Sequence, residues 1–201
     1  MTPVAVSTTM WLVWGKIAIG HRNDARALET SINNGADSGN EATDLERMFF
    51  ASVQAVTSAW FSVEALHFRL WDVHRQSDPG TNFAAPNEKK KRLRQVRRAV
   101  EGSTSCPPVE LTGDLLWLYC LRNKAVHFST EQVRPTKPHP SIPGGFGPTE
   151  HVMFSVNTAD RAVGIMLACL AACVTEPTPP VAMWAAESAG GLDQLRRLLA
   201  P

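Results

Sequence analysis

The stretch from Thr43 to Arg75 constrains the fold most, because it runs without proline or glycine. Its apolar residues recur at every third or fourth position, the spacing that places side chains on one face of an α-helix. The stretch therefore predicts the longest helix of the chain, with one face turned to a core. The apolar positions are Phe49, Val53, Val56, Trp60, Val63, Leu66, Leu70 and Val73.

Helical spacing also dominates the rest of the chain, whereas the alternation typical of strands is scarce. We predict one short strand, at His151–Val156, within an all-α fold: a single-domain bundle of about five to six helices. The helices at Thr43–Arg75 and Val109–Phe128 are expected to form its spine. The other predicted helices are Thr9–Asn33 with a break near Gly20, Pro86–Glu101, Thr158–Val174 with Asn157 or Thr158 as its cap, and one or two within Pro180–Ala200.

Proline and glycine are concentrated between residues 131 and 150. Arg134 to Pro148 alone contains five prolines and three glycines, too many for a regular element. We therefore predict a long exposed loop in this Pro/Gly-rich segment. No internal repeat or second domain is evident, so residues 1–201 are interpreted as one domain with a terminal helical extension at 180–200.

The composition is typical of a globular chain, since 44% of the 201 residues are hydrophobic and the net charge is +1. The four cysteines are sparse and are expected to be small core residues in a reducing cytoplasm. The longest uncharged apolar run, Ala162–Val174, has 13 residues, fewer than the roughly 20 that span a membrane. It predicts a buried core helix. Because the apolar stretch Met10–Ile19 has no basic region before it, we expect a cytoplasmic protein without a signal peptide or membrane association.

The end of the fourth predicted helix contains the most informative string, Leu121-Arg122-Asn123-Lys124-Ala125-Val126-His127-Phe128. It places a polar Asn123 directly after Arg122, and four residues separate Arg122 from His127. Two other Arg and His pairs in the chain have the same separation, but neither has this context. Arg69 is followed by an apolar leucine, and Arg134 lies among prolines that prevent a helix.

Arg122 and His127 have side chains of the types that act together at a phosphate group. Histidine titrates near neutral pH and can take or give a proton. Arginine offers a planar fork of donors to phosphate oxygens. Asn123 and His127, four residues apart, share one face of a regular helix, so Arg122 must reach round to join them.

This string resembles the signature of the HEPN superfamily, the higher eukaryote and prokaryote nucleotide-binding domains. The resemblance covers residues 43–174 loosely. It implies an all-α ribonuclease in which Arg122 and His127 are catalytic and Asn123 orients them. It also implies a homodimer whose two motifs face one cleft, with a 2′,3′-cyclic phosphate product and no metal or cofactor. Other members place an acidic residue on an earlier core helix; Glu64 is the best match, although it equally fits a solvent-facing position.

Positive charge is concentrated in the third predicted helix. Pro86 to Glu101 has a net charge of +5, so the remainder of the chain sums to −4. Such a helix is typical of a surface that leads a phosphate backbone to a cleft, although an ordinary solvated helix face has the same composition. The candidate RNA-binding residues are Lys89, Lys90, Lys91, Arg92, Arg94, Arg97 and Arg98.

Two functions from different classes are consistent with these residues. The first is a metal-independent endoribonuclease, with toxin or defence effector as its biological role and an antitoxin or regulatory protein as its inhibitor. The second is a non-catalytic helical domain that binds RNA, a nucleotide or an acidic partner through the basic helix. A Cys120 and His127 pair is a minor third interpretation, because Cys-His nucleophiles normally draw the histidine from another element.

Overall fold

The computed structural model describes residues 9–34, 41–81, 83, 85, 91–126, 136–140 and 142–200. In these residues the chain is a bundle of α-helices with one small two-stranded sheet, which confirms the all-α prediction. The helices are α1 (Met10–Asn33), α2 (Glu41–Ser77), α3 (Arg92–Ser103), α4 (Leu111–Val126), α5 (Thr149–Met153), α6 (Val156–Thr175) and α7 (Ala182–Leu199), with a 3-10 turn at Pro179–Val181 and strands β1 (Thr136–Pro138) and β2 (Phe146–Pro148).

Helix α2 is the centre of the bundle, but its main partners differ from the predicted one. It packs most extensively along α1 and then against α6, whereas its contact with α4 is smaller. The prediction that α2 and α4 form the spine is therefore correct for α2 and wrong for α4. The physical reason is burial: α6 buries ten residues on several sides, while α4 buries only Leu111, Leu115, Leu118 and Leu121.

Helices α1, α2 and α7 approach closely at two glycines. A Cβ atom on Gly15 would lie 2.9 Å from a methyl carbon of Leu195, and one on Gly191 would lie 2.9 Å from the Trp11 ring. The Ser62 hydroxyl of α2 donates a 2.7 Å hydrogen bond to the Trp11 carbonyl of α1. The absence of a side chain at these two positions therefore allows α1 and α7 to pack closely. Both helices are continuous, so the predicted break in α1 is absent, as is a break in α7.

Helix α6 is held among its neighbours by apolar packing and by ion pairs, one of which joins Arg161 to Asp114 of α4. The Asp160 carboxylate accepts 2.6 Å hydrogen bonds from both Arg22 and Arg26 of α1. The stretch Thr149–Thr175 is, within the described residues, the one long and apolar enough to span a membrane by length and composition, a test that core helices of soluble proteins also pass. Its packing against α1, α2, α4 and α7 agrees with the predicted core helix.

The predicted loop at residues 131–150 contains regular structure in its described part, so this prediction needs correction. Strands β1 and β2 pair antiparallel, with Thr136 opposite Pro148 and Pro138 opposite Phe146. Prolines are tolerated because each strand of a two-stranded sheet has an outward edge that requires no N–H donor. Gly144 closes the connection with φ of +73°, a value that suits glycine.

The strand predicted at His151–Val156 is also wrong. Its first residues belong to the short helix α5, which follows directly after Pro148, and α6 begins at Val156. The residue preceding α6 is Ser155, whose hydroxyl lies 3.2 Å from that of Thr158, so the predicted caps lie inside the helix. Phe154 and Val156 are both buried at the boundary between α5 and α6. Over so few residues, their spacing looks like the alternation of a strand.

Two neighbouring histidines, His139 directly after β1 and His151 in α5, link the hairpin through α5 to the first half of α2. The His151 ring stacks on the Phe49 ring with centroids 4.3 Å apart and an angle of 5° between the planes. His139 is buried beside it. Burial, together with the neighbouring His151 charge, lowers the pKa of His139, and burial lowers the pKa of His151 despite the opposing effect of Glu46. The fold therefore favours both imidazoles in the neutral form.

We expect acidification to loosen this hairpin. Because the folded pKa values lie below the ordinary 6.5, the stabilisation is complete above about pH 6.5 and is lost as the pH falls through the folded values. Amide hydrogen exchange of residues 136–153 should therefore accelerate between about pH 7 and about pH 5, after correction for intrinsic rates. The double variant His139→Gln/His151→Phe should remove this response. Equal pH responses in both proteins would contradict the assignment.

Candidate functional site

Arg122 lies near the end of α4, at the margin of its buried face. Leu121 packs into the core, so the next side chain emerges beside α2 and is half-buried. The guanidinium carbon of Arg122 lies 5.4 Å from the centre of the Phe61 ring of α2, a cation–π geometry. Its Nη1 donates a 3.1 Å hydrogen bond to Oδ1 of Asn123. Phe61 and Asn123 therefore both hold the guanidinium in place.

Arg122 differs from the other half-buried arginines of the described residues because it has no acidic partner there. Its Nε is buried and has no hydrogen-bond acceptor in that part of the chain. A partly buried cation without an anion is costly and is favourably paired with a bound anion. The three half-buried arginines that do have carboxylate partners are Arg22 with Asp160, Arg92 with Glu64, and Arg97 with Glu101.

The structure describes only part of the motif that runs from Arg122 to His127. Arg122 and Asn123 are described and touch each other, as the predicted orienting role of Asn123 requires. His127 lies outside the described residues, as do Lys89 and Lys90 of the basic segment. The catalytic role of His127 therefore stays a prediction. Helix α4 extends to Val126, so the described helix ends one residue before it.

Glu64 is paired with the basic helix. Its Oε1 lies 3.3 Å from Nε of Arg92, and both side chains are largely shielded from solvent. Glu64 is therefore neither fully within the core nor facing the solvent. Its side chain lies at the edge of the core, and Arg92 of α3 neutralises its charge. Glu64 follows Phe61 by three residues and so shares its face of α2. The Glu64 carboxylate thus lies one helical turn from the Phe61 ring that supports Arg122. Its ion pair is with Arg92 and not with Arg122.

Helix α3 begins at Arg92, later than the predicted Pro86, and residues 86–90 lie outside the described part. Two of its arginines are engaged: Arg92 binds Glu64 and lies over the Phe68 ring at 5.0 Å, and Arg97 pairs with Glu101. Arg94 and Arg98 are exposed, one turn apart, and have no carboxylate partner among the described residues. They are the members of the predicted RNA-binding set best placed to meet a phosphate.

A cavity of about 620 Å³ opens between α1, α2 and α7. The sequence analysis did not predict it. Trp60 is buried in the core, as its apolar spacing in α2 predicts, but Trp14 of α1 is only half-buried and lines the cavity. The consecutive helices α1 and α2 and the distant α7 form the walls, so the pattern of no single helix could indicate the cavity. The one signal in the sequence is the aromatic Phe68, which lies outside the apolar spacing of α2.

The cysteines divide into two pairs. Cys169 and Cys173 are buried in α6, and burial raises the pKa of the Cys169 thiol to about 12 and also raises that of Cys173. Such thiols are inert core groups at neutral pH. Cys106 and Cys120 are exposed, so the prediction that all four lie in the core is wrong for these two.

Comparison with known proteins identifies no relative. No family model, no curated protein and no solved structure matches this chain. The resemblance to the HEPN superfamily accordingly depends on the motif residues and the helical character of the chain.

Proposed function

We propose that this chain is a metal-independent endoribonuclease of the HEPN type. The observation that supports it most is the state of Arg122, a half-buried cation held by Phe61 and Asn123 with no carboxylate partner among the described residues. An RNA phosphate is the anion that this arginine would bind. His127, five positions further along, supplies the titratable group.

The proposed reaction is an internal transfer at phosphorus. The 2′-oxygen attacks the adjacent phosphorus as its proton is removed, and the bond to the 5′-oxygen breaks as that oxygen receives a proton. Arg122 stabilises the charge that grows on the phosphate oxygens, and His127 moves one of the two protons. The products are a 2′,3′-cyclic phosphate and a 5′-hydroxyl. A homodimer would place a second His127 at the same cleft and so supply the other proton transfer.

The biological setting belongs to the same proposal. A cytoplasmic nuclease without a restraint would damage its own cell, so a toxin or defence effector requires an inhibitory partner protein. Glu64 and Arg92 would help to keep the wall of the site in place, since their ion pair joins α2 to α3 beside Phe68. The exposed arginines Arg94 and Arg98 would contact the RNA backbone next to the site.

Cleavage of RNA in the presence of EDTA tests this proposal. The purified protein should cut single-stranded RNA and leave 2′,3′-cyclic phosphate ends, detected by mass spectrometry of the fragments. The double variant Arg122→Ala/His127→Ala, prepared in the same way, is the control for contaminating nucleases. Equal cutting by both proteins, or intact RNA with both, would contradict the proposal.

The exposed pair Arg94 and Arg98 favours a second candidate, a non-catalytic RNA-binding domain. It requires RNA binding without cleavage by the unaltered protein. Binding should then weaken in Arg94→Gln/Arg98→Gln, and the dependence of affinity on salt should decrease by about two counterions. Arg92 is unsuitable for this test, because replacing it also breaks its ion pair with Glu64.

A further inference from the structure

We infer that the cavity between α1, α2 and α7 binds a nucleobase of the RNA, with a preference for guanine. This inference rests on the proposed function, because that function supplies RNA as the ligand. It adds a site that recognises a base to one that recognises a phosphate. The observations that support it are the aromatic side chains that line the cavity, a carboxylate with no cationic partner among the described residues, and the ring contacts that connect the cavity to Arg122.

The cavity has the size and the walls that a planar base requires. Its volume of about 620 Å³ is within the range of about 300–1,000 Å³ of small-molecule sites. Trp11 and Trp14 of α1, Phe68 of α2 and Trp184 of α7 line it. Aromatic side chains stack on any base, because every base has a π face. Trp11 and Trp184 are only 2% and 4% exposed, so stacking falls to Trp14 and to Phe68, which is 43% exposed and has the Arg92 guanidinium over its ring at 5.0 Å.

The charged groups of the cavity indicate which base is preferred. Asp72 is neutralised by Arg69 and Arg75, at 3.2 and 3.3 Å, and Gln76 also donates to it. Glu187 of α7 is exposed and forms no ion pair within the described residues. A carboxylate accepts two parallel hydrogen bonds from neighbouring N–H groups. Among the four RNA bases, only guanine presents a ring N–H and an amino group side by side on its Watson–Crick edge.

An aromatic pair joins the cavity to the phosphate site. Trp14 lines the cavity and also contacts Phe61, with ring centroids 5.1 Å apart. Phe61 in turn lies under the guanidinium of Arg122, at 5.4 Å. The cavity and the guanidinium are therefore separated by a single aromatic pair. A base in the cavity and a phosphate at Arg122 would belong to the same or adjacent nucleotides.

Binding of guanosine, which has no phosphate, tests the cavity independently of Arg122. Ligand-observed NMR should detect guanosine binding to the unaltered protein and weaker binding of adenosine. Glu187→Gln should weaken guanosine binding about tenfold by removing the charged acceptor. Phe68→Leu, which keeps an apolar side chain but removes the ring, should weaken it about tenfold or more.

Two matched variants control for changes in the surrounding helices. Asp193→Asn alters an exposed carboxylate on α7, and Phe50→Leu alters an exposed ring on α2, and neither residue lines this cavity. Both controls and Arg122→Ala should bind guanosine normally. Absence of guanosine binding, or unchanged binding in Glu187→Gln and Phe68→Leu, would overturn the inference. Binding of tetramethylammonium in place of guanosine would also overturn it, because the cavity would then be an aromatic site for organic cations.

Failure of this inference is distinguishable from failure of the proposed nuclease. If the protein cuts RNA but does not bind guanosine, the base site is wrong and the nuclease stands. If the protein binds guanosine as described but does not cut RNA, the base site stands and the nuclease is wrong.

Discussion

Replacing Arg122 with alanine should lower the rate of RNA cleavage by about 10²–10³-fold, the usual effect of removing one preorganised donor to a developing charge. The guanidinium is already oriented by Phe61 and Asn123 before any ligand binds. That preorganisation is what makes its loss costly for the transition state. Single-turnover cleavage of a labelled RNA in EDTA measures the effect.

The lysine variant separates charge from geometry. Arg122→Lys keeps the positive charge but loses the planar fork and most of the contact with the Phe61 ring. We expect a rate between those of the alanine variant and the unaltered protein. Arg197→Ala is the control, since Arg197 likewise lies near the end of a helix but is exposed. It should cut RNA at the normal rate. More than about one tenth of normal activity in Arg122→Ala would contradict a role at the phosphate.

Stability offers a second measure of the same residue. Removing an arginine that has a carboxylate partner leaves that carboxylate uncompensated, which destabilises a protein. Arg122 has no such partner among the described residues, so Arg122→Ala should leave the urea midpoint unchanged or raise it. Lower activity combined with undiminished stability is typical of a residue retained for function. A large loss of stability would instead indicate a structural role through the Phe61 contact.

The helices were predictable because their signal is local. Apolar spacing places α2 at Thr43–Arg75, and the structure extends it only to Glu41 and Ser77. The partner of α2 was not predictable in the same way, because both α4 and α6 present apolar residues. Only packing decides that the more fully buried α6 is its larger neighbour. The hairpin was missed because its prolines occupy outward edges, a property of the pairing rather than of the residues.

The candidate site was predictable as a set of residue types but not as a set of pairs. The string Arg122-Asn123 supplied the candidate residues, whereas the pairing of Glu64 with Arg92 depends on the approach of α3 to α2. The number of positive charges in α3 likewise overstates the accessible charge, because Arg92 and Arg97 are engaged with carboxylates. Sequence supplies the groups, and the packing of helices decides which of them stay available to a ligand.

Replacing Trp60 with alanine should destabilise the protein by about 3–5 kcal/mol, the cost of removing a large buried aromatic side chain and leaving a cavity. Trp60 is 1% exposed at the middle of α2, and its ring lies 5.1 Å from that of Tyr119 of α4. The loss is a large fraction of the 5–15 kcal/mol that small domains have. Urea denaturation followed by circular dichroism measures it.

The matched control for Trp60→Ala is Trp71→Ala, on the same helix. Trp71 is half-buried, and the Arg75 guanidinium lies 4.9 Å from the centre of its ring. Replacing Trp71 therefore removes mainly a contact at the surface. We expect a cost of about 1 kcal/mol there. Equal costs for the two variants would mean that the centre of α2 is not the core of the bundle. A larger cost for Trp60 would show that the centre of α2 lies in the core, so that Phe61 and Phe68 project from a well-packed helix, as a preorganised site at Arg122 requires.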